Sequence, residues 1–322
     1  MKKIVFLFLT VLTLFAKEEV FVFNDNFVSE EQKVKLALVI DKKKFFRILP
    51  SIVNSINSYF IYKNVDYNLK VFDLNDSLNE ITKDYKHVIY FTTDKNEVYK
   101  LKDYNASFYL PIFEANDFNE TFENVDFGLL DFKQQIRKLF SFIPNADKAV
   151  VIHYPGSIPQ KLLNYEYEQN VSLEVFDYPN IPYYKLKNNY VVFNTPPSKT
   201  ALILAQLTYK NLDTKLQLSA QINYDPLIIA ITQPQNTQKL VIANSILNVP
   251  KDLEDINLNL FSELKFNWLN FVINALVNKI YNIQTQQDEF FLNDFGLYIF
   301  NHQISYKTKL YQIINRGFKA IQ

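Results

Sequence analysis

The sequence contains no cysteine, so it has no disulfide framework, no thiolate metal set and no lipid-anchor cysteine. Glycine is almost as scarce: only Gly128, Gly156, Gly296 and Gly317 occur, far apart from one another. Loops that cradle phosphates need clustered glycines so that the backbone can approach the ligand, and this argues against a nucleotide enzyme. His87, His153 and His302 form no His-x-x-x-His pair, so no metal site is expected. Charge of either sign is not in excess: 34 basic residues balance 34 acidic ones, which gives no reason to expect nucleic acid or an anionic membrane as a partner.

Catalytic patterns are missing as well. Pro155-Gly156-Ser157 follows an expected strand, but Ile158 and Pro159 stand where a nucleophile elbow needs its second glycine, so a turn is the better reading. Glu166 and Glu168 lie two apart on an expected helix and face different ways. The run Lys42-Lys43-Lys44 reads as a solvated loop, with an acidic partner or glycan as the alternative. The expectation is no enzyme, no cofactor and no metal.

The N-terminus carries a clear signal. Lys2 and Lys3 precede an apolar run from Ile4 to Phe15, and small Ala16 stands before charged Lys17. A run of this length suits a signal peptide over residues 1–16, cut between Ala16 and Lys17, and falls short of the about 20 residues of a membrane span. An uncleaved anchor is the alternative. No later stretch approaches a span, so the mature chain is expected in the periplasm.

Four Asn-x-Ser/Thr triplets begin at Asn75, Asn105, Asn119 and Asn170, and each has an acid two residues earlier: Asp73, Asp103, Asp117 and Glu168. On composition alone, four such acids have odds of about one in ten thousand. The longer pattern resembles the extended sequon of bacterial N-glycosylation, whose transferase works on the periplasmic side. The competing explanation is that these residue types crowd into turns.

From Val34 onward the chain alternates strands and helices. Lys35–Ile40 is a continuous apolar run, the mark of a strand buried on both faces. Leu49, Ile52, Val53, Ile56 and Phe60 then recur at helical spacing. Strands are expected at 68–72, 87–91, 107–113, 148–152, 171–176, 189–194 and 217–222. Helices are expected at 132–142, 160–168, 198–209 and 266–283, the last with Leu269, Val272, Leu276 and Ile280 in one stripe. Residues 227–231 fit either a helix or a strand. Segments 296–300 and 309–314 read as closing strands. Two similar blocks of this kind indicate α/β architecture with parallel sheets flanked by helices.

In order and spacing, these features resemble the type I periplasmic-binding-protein fold. Leu36–Asp41 is similar to its opening strand, Val65–Asp73 to its second, Phe108–Phe113 to a strand with an internal proline, and Ala149–Tyr154 to the first strand of the second lobe. Leu218–Pro226 and Phe295–Gly317 are similar to later parts. The LppC-like branch, whose members include stimulators of peptidoglycan synthases, is the nearest, and the chain departs from it in lacking the lipid-anchor cysteine.

The resemblance implies a two-lobed protein: an arm at 17–33, a first lobe at 34–145 with a return segment at about 245–285, and a second lobe at 146–244 closed by about 286–322. The chain is expected to cross between lobes near 145, 245 and 285. A ligand cleft would be lined by Thr92, Thr93 and Ser157. The small residues with which amino-acid binders hold a zwitterion are not visible, because the first loop reads Asp41-Lys-Lys-Lys-Phe-Phe46. The expected function is therefore an envelope protein acting by protein–protein contact, with a peptidoglycan synthase, flagellar motor or secretion system as client. The alternative is a solute-binding protein.

Overall fold

The computed structural model describes residues 33–321. The signal segment, the Ala16/Lys17 cleavage pair and all of the arm except Lys33 lie outside the described residues.

The first sheet is built from β1 (Val34–Ile40), β2 (Tyr67–Asp73), β3 (His87–Phe91), β4 (Ser107–Leu110) and β5 (Val125–Phe127), all parallel. Every residue of β1 except Lys35 is buried, as expected of a parallel strand covered on both faces. The second sheet is built from β6 (Lys148–His153), β7 (Ser172–Asp177), β8 (Tyr190–Asn194), β9 (Leu216–Ser219) and β10 (Leu240–Asn244), again parallel. β4 stops at Leu110 rather than running to Phe113, because Pro111 has no N–H to donate and opens a turn.

The expected closing segment at about 286–322 divides between the sheets. β11 (Phe291–Leu292), β12 (Leu297–Phe300) and β13 (Gln303–Ser305) form an antiparallel meander. It joins the first sheet where β13 pairs with β5, giving the order β11-β12-β13-β5-β4-β3-β1-β2. Only β14 (Lys309–Ile314) and β15 (Gly317–Ala320) join the second, with the order β15-β14-β10-β9-β8-β6-β7.

Among the described residues, ten α-helices connect the strands: α1 (Lys42–Phe45), α2 (Leu49–Lys63), α3 (Leu78–Asp84), α4 (Lys95–Tyr99), α5 (Phe132–Phe140), α6 (Ser157–Tyr167), α7 (Pro197–Tyr209), α8 (Pro226–Ile231), α9 (Lys251–Asn259) and α10 (Trp268–Gln284). Pro50 sits in the first turn of α2, where a missing donor costs little. Asn64 closes that helix in the left-handed conformation at φ 50°.

α10 carries more than the expected apolar stripe. Asn270, Asn274, Asn278 and Asn282 recur every fourth residue and are buried. The Asn270 Nδ2 donates to Ser51 Oγ at 3.0 Å, Asn274 donates to the Ser55 carbonyl at 3.2 Å, and Asn282 donates to the carbonyls of Asp288 and Phe291. A polar spine therefore ties α10 to α2 and to the loop before β11.

The chain passes between the sheets three times. α5 packs against β10 and α6, so the first crossing falls at residues 128–131, earlier than the expected 145. The second follows β10, since α9 already packs on α2. The third is at residues 306–308, not 285, because the β11–β13 meander stays with the first sheet.

Candidate functional site

In open α/β sheets, ligands bind beyond the carboxyl ends of the strands. In this chain those ends carry the loops after β1, β3 and β4 on one side and after β6, β8 and β9 on the other. The three residues expected to line a cleft sit on these loops, Thr92 and Thr93 after β3 and Ser157 after β6. Thr92 is buried and its hydroxyl accepts from the Asp94 N–H at 3.0 Å, which closes its own turn. Thr93 is exposed and its hydroxyl meets the Lys44 ammonium. Ser157 is exposed in the first turn of α6. None of them lines either of the two cavities described below.

A charged clamp joins the two lobes instead. Lys161 of α6 reaches across to the β4–β5 connection, with its Nζ 2.8 Å from Glu114 Oε1 and 2.6 Å from Asp117 Oδ2. The three side chains are only 17%, 9% and 12% exposed. Glu114 and Asp117 are held in place locally, because the Glu114 N–H donates to Asp117 Oδ2 at 3.0 Å and the Ala115 N–H to Gln303 Oε1 at 2.9 Å. Burial raises the Glu114 carboxyl above its ordinary pKa, and Lys161 opposes that rise.

The crossings are stitched together behind the clamp. Gln135 Nε2 donates to Ser245 Oγ at 2.9 Å, the Gln221 N–H donates to Gln135 Oε1 at 2.9 Å, and the Ser245 N–H to Gln221 Oε1 at 2.6 Å. The Thr308 N–H donates to Gln134 Oε1 at 3.0 Å, and Lys138 Nζ to the Thr308 carbonyl at 2.6 Å. The Tyr306 hydroxyl donates to the Gly128 carbonyl at 2.6 Å and so links the first crossing to the third. A Cβ on Gly128 would lie 2.7 Å from Val272 and 2.8 Å from Leu276, so only glycine lets this crossing approach α10. One apolar core runs through the junction, from Leu36 and Phe91 in the first lobe, through Phe132, Ile136 and Phe271, to Val151 and Val241 in the second.

Two cavities flank this region. The smaller, of about 360 Å³, lies between Glu114–Asn116, α5 and the β12–β13 turn, with Lys133 and Arg137 in its wall. The larger, of about 570 Å³, lies at the carboxyl ends of β8 and β9 and is lined by Pro159, Pro196, Pro197, Pro226, Phe266 and Trp268. Its polar groups mainly serve their own backbone. Asp225 accepts from the Leu227 N–H, Glu263 from the Phe266 N–H, and Asn267 from the Leu269 N–H. The buried Gln221 amide nitrogen is without a partner.

Sequence reasoning missed two further groups. Glu166 on α6 is fully buried, and both of its oxygens accept from Asn194 Nδ2, at 3.0 and 2.9 Å. Burial pushes its carboxyl up to about 8 against that hydrogen bond. In the first lobe, Lys279 and Asp126 form a buried ion pair at 2.6 Å, and His302 Nδ1 lies 3.2 Å from the same carboxylate. His87 bonds the Tyr109 hydroxyl at 2.8 Å, and burial lowers its pKa to about 4. Among the described residues, no group of three or more His, Cys, Asp or Glu side chains is placed to hold a metal. No helix among them is long and apolar enough to cross a membrane.

Solved structures place the architecture. Full-length LpoA from Haemophilus influenzae superposes with a TM-score of 0.60 at 12% identity, over 91% of this chain and 60% of that one. The C-domain of that protein, described as a regulator of PBP1A, gives 0.58 at 13% identity over 89% and 100%. The chain has the type I periplasmic-binding-protein-like fold. Leucine-binding protein LivK from Thermotoga maritima shares it, with a TM-score of 0.58 at 11% identity over 90% and 98%. This chain thus spans about three fifths of full-length LpoA and the whole of its C-domain. No protein-family model matches the sequence, and no curated protein matches it either.

Proposed function

We propose that this chain is a non-enzymatic envelope protein of the periplasm that acts by protein–protein contact and regulates or scaffolds a peptidoglycan synthase or another envelope assembly. The observation that carries this reading is the tied junction: Lys161 clamped to Glu114 and Asp117 in front of a buried hydrogen-bond network. A solute-binding protein must open and close its lobes around a ligand, and the Lys161 clamp, which spans the two lobes, opposes such motion. The likeness to the LpoA C-domain points the same way. The apolar run at residues 4–15 supplies the export signal, with Ala16 and Lys17 at the cut.

A contact surface is available at the edge of the first lobe. Phe46 is 62% exposed and Phe261 93%, and their loops abut at the start of α2, where Ser262 Oγ donates to the Ser51 carbonyl. Lys42, Lys43, Lys44 and Arg47 surround Phe46 and are exposed. Such a surface suits an acidic partner segment with an apolar anchor.

Affinity purification from cross-linked envelopes tests the reading. Recovery of a stable set of envelope proteins, reduced by Phe261→Asp, is the expected result. Recovery of the bait with an uptake permease alone would overturn it. The solute-binding alternative has one observation in its favour, the proline- and aromatic-lined cavity of about 570 Å³. A thermal shift with a small ligand, lost in Trp268→Ala, would establish that alternative.

A further inference from the structure

We propose that Asn75, Asn105, Asn119 and Asn170 are N-glycosylated by transfer from a polyprenyl-diphosphate-linked oligosaccharide. In the transfer, a bond forms between Asn Nδ2 and the C1 atom of the first sugar, and the C1–O bond to the diphosphate breaks. Polyprenyl diphosphate leaves, and the amide proton passes to a base on the transferase. The proposal rests only on the periplasmic part of the functional reading.

All four asparagines are exposed, and all four lie in turns or bends outside helices and strands. Asn75 follows β2, Asn105 precedes β4, Asn119 lies between β4 and β5, and Asn170 lies between α6 and β7. The hydroxyl residues two positions on are also accessible: Ser77, Thr121 and Ser172 are exposed and Ser107 is partly so. Crowding of polar residues into turns explains exposure. It does not explain why every one of the four triplets carries an acid at the same offset.

Three of the sites share one face. Leu74 and Leu78 flank Asn75, Tyr104 and Ala106 flank Asn105, and Phe118 and Phe122 flank Asn119; all six belong to or pack against the core on the outer side of the first sheet. The Lys102–Glu120 ion pair ties the second and third of these loops together. Sugar on these three loops would lie over the core on the outer side of the first sheet, away from the face covered by α2 and α10.

The fold also sorts the sites. Asn75 Nδ2, the atom to be modified, donates to Asp73 Oδ1 at 2.8 Å, and the other Asp73 oxygen accepts from the Lys42 N–H at 3.2 Å. Asp117 is held in the Lys161 clamp. At these two sites the acid is engaged by the folded chain, so transfer there precedes folding. Asp103 is exposed, so Asn105 stays presentable afterwards, whereas Glu168 is half-exposed but paired with Lys133 at 2.7 Å, which places Asn170 between the two classes.

The test is co-expression of the full chain with and without a bacterial N-oligosaccharyltransferase and its donor, followed by cell fractionation and glycopeptide mass spectrometry. The expected result is a glycan mass at each of the four asparagines only with the transferase, and loss of the Asn105 glycan alone in Asp103→Ala. A second arm offers the purified folded chain to transferase-bearing membranes, where Asn105 is modified and Asn75 and Asn119 are not. A periplasmic chain without any glycan, or glycans that survive Asp103→Ala, would overturn the proposal. If the chain stays out of the periplasm, the functional reading fails on its own, and the same chain behind a standard cleavable leader decides the glycosylation.

Discussion

The outer face of the first sheet is roofed by the short α3 and α4 and by long loops, whereas that of the second is roofed mainly by the thirteen-residue α7. The difference follows from the connections. The β4–β5 connection has no α-helix and holds its place with aromatic anchors: Phe118 and Phe122 pack tilted or edge-on against Phe127 and each other, and Phe113 packs against Phe118. The β8–β9 connection buries Ile203, Leu204 and Leu207 on one helix stripe. Three of the four Asn-x-Ser/Thr triplets fall in the turns and loops of the first lobe. The lobes also differ in how they bury charge. The first pairs Asp126 with Lys279, and the second leaves Glu166 with only an amide partner.

Breaking that second contrast gives the largest expected effect. Asp126→Ala strands the buried Lys279 ammonium and should cost about 3–5 kcal/mol in urea unfolding. Gly128→Ala, at the first crossing, forces Val272 and Leu276 aside and should cost about 1–3 kcal/mol. Lys161→Met removes a partly exposed clamp. It should cost about 1–2 kcal/mol, discounted for its remaining contact with water, and it should raise hydrogen exchange in residues 111–118 and in α6 together.

Glu166→Gln sharpens the contrast through pH. The folded carboxyl sits at about 8, raised from its ordinary 4.5, so between those values the folded state binds more protons than the unfolded one. Wild-type stability should therefore fall as pH rises from about 4.5 to about 8, and Glu166→Gln should flatten that slope. Melting curves across this range measure it, and an unchanged slope would remove Glu166 as its source. The smallest effect belongs to Phe261→Asp, which should leave stability within about 0.5 kcal/mol, since Phe261 is a surface side chain, while lowering partner recovery. The residue already sits at φ 56°, and the substitution leaves its exposed side chain without a lost contact.

Much of this architecture was legible from residue patterns. β1 and α2 follow from a doubly buried apolar run and a helical stripe, and α10 from its spacing. The asparagine spine was equally readable, because Asn270, Asn274, Asn278 and Asn282 recur at four-residue intervals; attention to the apolar stripe alone passed it over. β12 was legible as a closing strand at 296–300, but the attachment of the meander to the first sheet was not readable, because it rests on the pairing of Gln303 with Phe127 and on Gln303 reaching the Leu129 carbonyl. Nor was the clamp, since Lys161 meets Glu114 and Asp117 across more than forty residues and no local pattern encodes such a meeting. Thr92, Thr93 and Ser157 were chosen by loop position, and Thr92 is taken up by its own turn while Thr93 meets Lys44 from the connection after β1.

The most direct test of the account holds the two lobes together and asks whether function survives. The chain has no cysteine of its own, so Lys161→Cys with Asp117→Cys creates the only thiol pair, which a short bis-maleimide can bridge. The account predicts that the bridged protein captures the same envelope partners as the unbridged pair. Loss of those partners on bridging, or ligand binding that the bridge abolishes, would show that the lobes must move and would contradict it.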